Sequence, residues 1–148
     1  MSSPAPESAG AILVQPTLED VARSTALLRT ILPAQLGEDE CYSVEIGLAE
    51  ALTNVVLHGY AGLEAEPFKV RWSVSRRMLL LEIRDRGRPI PEDRLRSAGP
   101  DTFSFDPTVL DTLPEGGLGL SLMMAAFDRV DYSSTGGVNC LRLTKRIS

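Results

Sequence analysis

In the stretch Glu50-Ala51-Leu52-Thr53-Asn54-Val55-Val56-Leu57-His58-Gly59-Tyr60, a carboxylate, an amide and an imidazole recur at every fourth position of an otherwise apolar run. Four residues turn a helix through about 400°, so Glu50, Asn54 and His58 drift only about 40° per step and share one arc. Val44, Leu48, Leu52, Val55 and Val56 fall on the opposite side. One face is therefore core, and the other carries groups able to ligate a metal ion, take a proton or meet a metal-bound phosphate. A plainer reading stays open for each group taken alone: Asn54 can cap backbone groups, and a single His is more often a satisfied structural residue than a ligand.

A second group is marked by strand parity. Leu79, Leu81 and Ile83 face one side of a strand from Met78 to Asp85, and Asp85 is next in the same series. A carboxylate on a core face is costly unless something donates hydrogen bonds to it, and the exocyclic amine of adenine is a suitable donor. Gly87, two residues on, would let backbone pass close to a purine ring. Parity also puts Asn139 on the side of Leu141 and Leu143 in the last strand, facing the same space. Alternatively, Asp85 caps a turn in Asp-Arg-Gly-Arg-Pro, and Asn139 merely follows the Gly136-Gly137 turn.

A third group is Gly116-Gly117-Leu118-Gly119-Leu120, which leads into an apolar helical run. Free amides at a helix N-terminus attract phosphate oxygens, and glycines permit close approach. The pattern is not a P-loop: no GxxxxGK[ST] occurs, and the only lysines are Lys69 and Lys145. A simple hinge remains the competing reading.

The elements that must position these groups can be traced along the chain. Residues 1–10, rich in Ser, Pro and Ala, are expected to form a disordered leader, with a short edge strand from Ala11 to Gln15. Thr17 reads as a helix N-cap with Asp20 in the reciprocal position, and Leu18, Val21, Thr25, Leu28 and Leu32 mark the buried stripe. Pro33 and Gly37 separate that helix from a longer one, Glu38 to His58, closing at Gly59. Phe68 to Val74 and Met78 to Asp85 form a hairpin. Residues 86–115 form a long Pro-, Gly- and Asp-rich segment of the kind used as a lid, with one helical turn at Glu92 to Arg96. A third helix runs to about Phe127, and Val130 to Ser133 pairs with Val138 to Lys145. The order β-α-α-β-β-lid-α-β-β predicts one domain over residues 11–148 with an α+β fold, its helices on one face of a mostly antiparallel sheet.

Composition narrows the classes of function. With 148 residues and 43% hydrophobic content, the chain can bury a substantial core. A net charge of -5 argues against a protein built to grip nucleic-acid phosphates. Cys41 and Cys140 have no neighbouring metal-binding partners and read as reduced thiols. No apolar run is long enough to cross a bilayer.

Together, ExxxNxxxHxY on a helix, DxG at a strand end and GGLGL opening a helix resemble the N, G1 and G2 boxes of the Bergerat-fold ATPases. That superfamily includes the ATP-binding domains of gyrase, heat-shock chaperones, histidine kinases and MutL. More narrowly, Glu50 to Tyr60, Phe105-Asp106-Pro107, Gly116 to Leu120 and Leu141-Arg142-Leu143-Thr144-Lys145 resemble the bacterial anti-sigma-factor serine kinases of partner-switching systems. The likeness runs from about Thr17 to the C-terminus.

The resemblance implies a two-layer α/β sandwich with a mixed, mostly antiparallel sheet and about three helices on one face. It implies ATP or ADP and Mg²⁺ as cofactors, with Asn54 as metal ligand, Asp85 reading adenine and Gly87 shaping its pocket. Gly117, Leu118, Gly119 and Leu120 would lie along the phosphates. The family often has Thr where Asn139 falls, and an amide can hydrogen-bond there too. Glu50 would be the general base, because a serine hydroxyl must lose its proton as the phosphoryl group is transferred. His58 and Tyr60 would support the helix end, Arg23 would contact a partner, and Phe103 and Phe105 would anchor the lid. The implied protein is a cytoplasmic homodimer that binds neither nucleic acid nor membrane. It would sequester a sigma factor, or phosphorylate a serine of an anti-anti-sigma antagonist. The alternative is a nucleotide-sensing binding module without physiological kinase activity. A detached histidine-kinase catalytic domain fits less well, since the sole His lies inside the nucleotide motif.

Overall fold

The computed structural model describes residues 8–97 and 117–147. The first strand, β1 (Ser8–Val14), takes in residues 8–10, which were expected to belong to the leader; residues 1–7 lie outside the described residues. Its small residues suit the edge position because Trp72 covers them. A Cβ on Gly10 would fall 2.4 Å from the indole ring, so the ring takes the place of the missing side chain.

Helix α1 (Leu18–Arg29) starts at the expected cap: Thr17 Oγ1 accepts the Asp20 N–H at 3.1 Å. The Asp20 carboxylate does not close a reciprocal box on Thr17. It accepts from the Gln15 N–H and from Arg23 Nε, each at 2.6 Å. The buried arc is Val21, Ser24, Thr25 and Leu28. Leu18, expected in that stripe, is 51% exposed at the first helical position, so burial begins one turn later.

Helix α2 (Glu38–Asn54) buries Cys41, Val44, Gly47, Leu48, Ala51 and Leu52, as the apolar spacing requires. It does not continue regularly to His58. Val55–Gly59 forms a π-helical turn, closed by Tyr60 N–H donating to Val55 O at 3.1 Å. Beyond it lie β2 (Phe68–Val74), β3 (Met78–Asp85), the short helix α3 (Glu92–Ser97), α4 (Gly117–Ala126), β4 (Arg129–Thr135) and β5 (Val138–Arg146). Gly136 and Gly137 connect the last two strands with φ of 61° and 79°, the left-handed pair that a two-residue hairpin turn demands. Phe103, Phe105, Asp106-Pro107 and Gly116 lie outside the described residues.

The five strands form one sheet in the order β1-β2-β3-β5-β4. Every pairing among the described residues is antiparallel, so the mixed sheet implied by the resemblance is purely antiparallel here. Val70, Leu79, Leu81, Ile83, Leu141 and Leu143 from one face of the sheet join Leu28, Val44, Leu48, Leu52 and Met123 from the helices in a single core. The expected α+β sandwich is what forms. Helices α2 and α4 cross closely because Gly47 has no side chain: a Cβ there would lie 2.7 Å from Ala126 Cβ. Along the same crossing, Met123 of α4 and Ala51 and Asn54 of α2 border one cavity.

Candidate functional site

The register of β3 and β5 puts Asp85 directly opposite Asn139, at the end of the sheet's inner face. Both are buried, at 9% and 1% exposed. Asn139 Nδ2 donates to Asp85 Oδ1 at 2.9 Å and to Gly87 O at 2.8 Å, and its own oxygen accepts from Ser134 Oγ at 2.7 Å. Gly87 N–H donates to the same Asp85 oxygen at 2.9 Å. Burial pushes the Asp85 carboxyl above the ordinary carboxylate range, while the bonds from Asn139 and Gly87 pull it back. Both of its recorded bonds fall on Oδ1, so Oδ2 is the oxygen available to a ligand.

A cavity lies over this pair. Its walls are Ala51, Val55, Ile83, Met123 and Leu141, with Asp85 and Asn54 as polar groups and Arg88, Ile90, Gly59 and Tyr132 completing it. The slot itself encloses only about 20 Å³, room for one water; its aliphatic walls and single carboxylate suit a flat heterocycle bearing an amine, which would enter by parting those walls. It opens beside a second, wetter cavity of about 230 Å³, lined by Asn54, His58, Arg88, Pro91 and Arg94 among others. Asn54 therefore borders both spaces, where the ring of a ligand and its polar tail would meet.

Glu50 sits one turn before Asn54 on α2, part-exposed, and lines neither cavity. The π turn advances the chain by a smaller angle per residue than an α-helix does, yet His58 stays on the side of Asn54, and the two line the second cavity together. Among the described residues no three His, Cys, Asp or Glu side chains come together. A metal here would take one amide oxygen from Asn54 and complete its shell from ligand oxygens and water, which is how Mg²⁺ is commonly held.

The remaining expected residues fall in different places. Gly117, Leu118 and Gly119 form the first turn of α4, the backbone position that can meet an anion. Leu120 is 3% exposed and belongs to the core. Gly87 packs on backbone: a Cβ there would lie 2.5 Å from Gly59 O, and Arg88 N–H donates to that carbonyl at 2.5 Å. Tyr60 is buried, its hydroxyl accepting the Arg86 N–H at 3.3 Å, and burial raises its phenol. Arg23 lies on exposed α1, paired with Asp20 and away from both cavities. Tyr132, Ile90, Arg88 and Met123 were not anticipated. Tyr132 shares the parity of Val130 and could have been read as inward-facing; Arg88 and Ile90 sit in a segment with no periodicity to reveal them.

Comparison with known proteins identifies the family and the fold. The profile of the histidine kinase-like ATPase domain matches residues 14–145. A curated relative, the serine-protein kinase RsbW of Bacillus pumilus, is 33% identical over 103 residues, covering 68% of this chain and 62% of its own length. The protein of the same name from Bacillus subtilis is 32% identical over 111 residues, covering 74% of this chain and 67% of its own. The chain thus spans roughly two thirds of the length of these relatives. A crystal structure of the RsbU and RsbW domains of a Mycobacterium tuberculosis protein superposes with a TM-score of 0.63 at 18% identity, covering 97% of this chain and 33% of that one. At that identity the likeness supports the fold.

Proposed function

Because the chain belongs to the histidine kinase-like ATPase family, among relatives named serine-protein kinase RsbW, we propose that it is an ATP-dependent protein-serine kinase and anti-sigma factor. The observation that carries the reading is the buried Asp85 carboxylate, fixed by Asn139 and Gly87 at one end of an apolar slot that Asn54 also borders. Asp85 Oδ2 accepts the adenine amine; Asn139, its donors already committed to Asp85 and Gly87, orients the carboxylate rather than gripping the base. Asn54 supplies one oxygen to Mg²⁺, and the first turn of α4, with Gly117, Leu118 and Gly119, offers amides to phosphate oxygens. Leu120 contributes by seating that turn in the core. Bound Mg²⁺ would neutralise charge on the phosphates.

Glu50 has no recorded hydrogen-bond partner among the described residues and is open to an incoming hydroxyl. It takes the serine proton as the Oγ–P bond forms and the bond to the leaving ADP oxygen breaks. The serine belongs to an anti-anti-sigma antagonist; the alternative occupant of the same protein is a sigma factor, with Arg23 on exposed α1 as a contact. We place the protein in the cytoplasm as a homodimer; no described helix is long and apolar enough to cross a membrane.

The test is Glu50→Gln, followed by ATP titration and by phosphate transfer to a candidate antagonist domain. The expected outcome is unaltered MgATP affinity with transfer reduced at least a hundredfold, in the range a general base contributes, about 10²–10⁴. Undiminished transfer would remove Glu50 from the chemistry. Absence of transfer by the unsubstituted protein, with ATP bound, would favour a nucleotide-sensing module.

A further inference from the structure

Two tyrosines from different parts of the chain converge on the segment that follows Asp85, and the nucleotide reading does not explain why. Every backbone N–H from residue 86 to residue 90 is engaged. Arg86 N–H donates to Tyr60 Oη at 3.3 Å, Gly87 N–H to Asp85 Oδ1 at 2.9 Å, Arg88 N–H to Gly59 O at 2.5 Å and Ile90 N–H to Tyr132 Oη at 2.9 Å; Pro89 has none to offer. A segment containing Gly and Pro and lacking strand or helix partners is held on one path by such bonds, to which Asn139 Nδ2 donating to Gly87 O and Arg88 Nε donating to Ala61 O, each at 2.8 Å, add two more.

The path matters because this segment is a wall of the slot. Arg88, Ile90 and Tyr132 all line it, together with Ala51 and Val55. The Tyr132 hydroxyl therefore fixes the distance between a wall that β4 carries and a wall that the loop carries. Both phenols are raised by burial, so both remain neutral hydroxyls over the working range of pH.

We infer that Tyr132, seconded by Tyr60, is a positioning residue that sets the nucleobase selectivity of the site by holding residues 86–90 against the slot. This rests on the adenine-nucleotide reading above. Asp85 favours a base that presents an amine and repels one that presents a carbonyl oxygen at the same place, as guanine does. That discrimination is sharp only while the base cannot slide or tilt, which is what a fixed wall prevents. Tyr132 touches the slot through its ring, and its hydroxyl acts through Ile90.

The experiment compares Tyr132→Phe with the unsubstituted chain, titrating each with MgATP and with MgGTP. The ring is kept and only the hydroxyl is lost. The expected result is a roughly tenfold weaker ATP affinity, the factor one hydrogen bond carries. GTP affinity should change less, so the ATP-to-GTP preference narrows, and the Ile90 amide should exchange its hydrogen faster. An unchanged preference, or a loss shared equally by both nucleotides, overturns the inference while leaving the site intact. An unsubstituted chain that binds neither nucleotide overturns the site reading itself. If Tyr132→Phe fails to fold, Tyr60→Phe, which frees Arg86 instead, carries the same expectation and the same overturning result.

Discussion

Asp85 is held between two opposed requirements. Binding needs its carboxylate ionised, and folding is easier without a buried charge. Its folded-state pKa is raised by burial, partly offset by Asn139 and the Gly87 N–H. A raised carboxyl pKa favours the fold at low pH, and that contribution is lost as pH rises through the folded value, so at neutral pH the ionised Asp85 opposes folding. Asp85→Asn can keep its oxygen toward Asn139 and Gly87 and turn its amide nitrogen to the slot. The ligand-free variant is expected to melt no lower than the unsubstituted protein at pH 7, while ATP affinity falls at least tenfold, since two amines then face each other. A large drop in melting temperature would show that the charge itself is structural. In the unsubstituted protein, ATP affinity should decline on acidification from above the ordinary carboxylate range, and the Asn variant should lack that decline; calorimetry across pH reads both. At this scale the sequence was most legible where parity applied, because Asp85 and Asn139 simply continue the inward series of Leu81-Ile83 and Leu141-Leu143. Tyr132 was equally readable by parity, yet its partner Ile90 was not, because a loop imposes no period on its residues.

Elements were legible wherever one face is apolar, and the π turn was not. Period and composition place Glu38 to Asn54 in a helix, but nothing in Val55-Val56-Leu57-His58-Gly59 distinguishes a five-residue ring from a four-residue one. The ring appears because Gly59 must meet Gly87: with a Cβ on Gly87 only 2.5 Å from Gly59 O, the end of this turn and the loop after β3 are in backbone contact. The crossing of α2 and α4 was hidden for a related reason, since Gly47 within an apolar helix looks like a mere weak point. Gly47→Ala puts a methyl 2.7 Å from Ala126 Cβ and 3.1 Å from the Phe127 ring. It is expected to destabilise the fold by about 1–3 kcal/mol, the usual cost of overpacking, and to weaken nucleotide binding by moving α4 off α2. The pair Gly47→Ala with Ala126→Gly should recover most of both losses, measured by urea unfolding and ATP titration. Failure to recover either would mean that the crossing is not what Gly47 serves. Ser24, whose buried hydroxyl has no hydrogen-bond partner among the described residues, offers a contrasting case on α1. Ser24→Ala should leave stability unchanged or raise it by about 1 kcal/mol, because a hydroxyl buried without a partner costs about that much; a clear loss in the same unfolding measurement would reveal a partner that this geometry does not hold.

For the whole molecule, the site is not a surface attachment but a gap in the single core. Its lining draws Ala51 and Asn54 from α2, Ile83 and Asp85 from β3, Met123 from α4, Tyr132 from β4 and Leu141 from β5. A ligand there joins helices to sheet at the place where the core is incomplete, so binding and global stability must be linked. That linkage is also what a switch between partners requires, since a bound nucleotide can bias partner choice only if it favours one conformation over another. The architecture follows from alternating strands and amphipathic helices, whereas the partner surface does not: Arg23 is exposed on α1 like several other arginines, and no period marks a surface used only by a second protein. The linkage itself can be measured. MgATP at about a hundred times its Kd should stabilise the fold by about 2.7 kcal/mol, raising the melting midpoint by roughly 5–10 °C for a chain of this size. Helix and sheet signals should still melt together, because one core contains both. With Asn54→Ala the Mg²⁺-dependent part of the shift should vanish while the ligand-free midpoint moves little, the side chain being part-exposed and without a recorded partner among the described residues. A Mg²⁺-dependent shift that survives the Asn54 substitution would place the metal elsewhere, and no shift at saturating ATP would mean that the slot between α2 and the sheet is not where nucleotide binds.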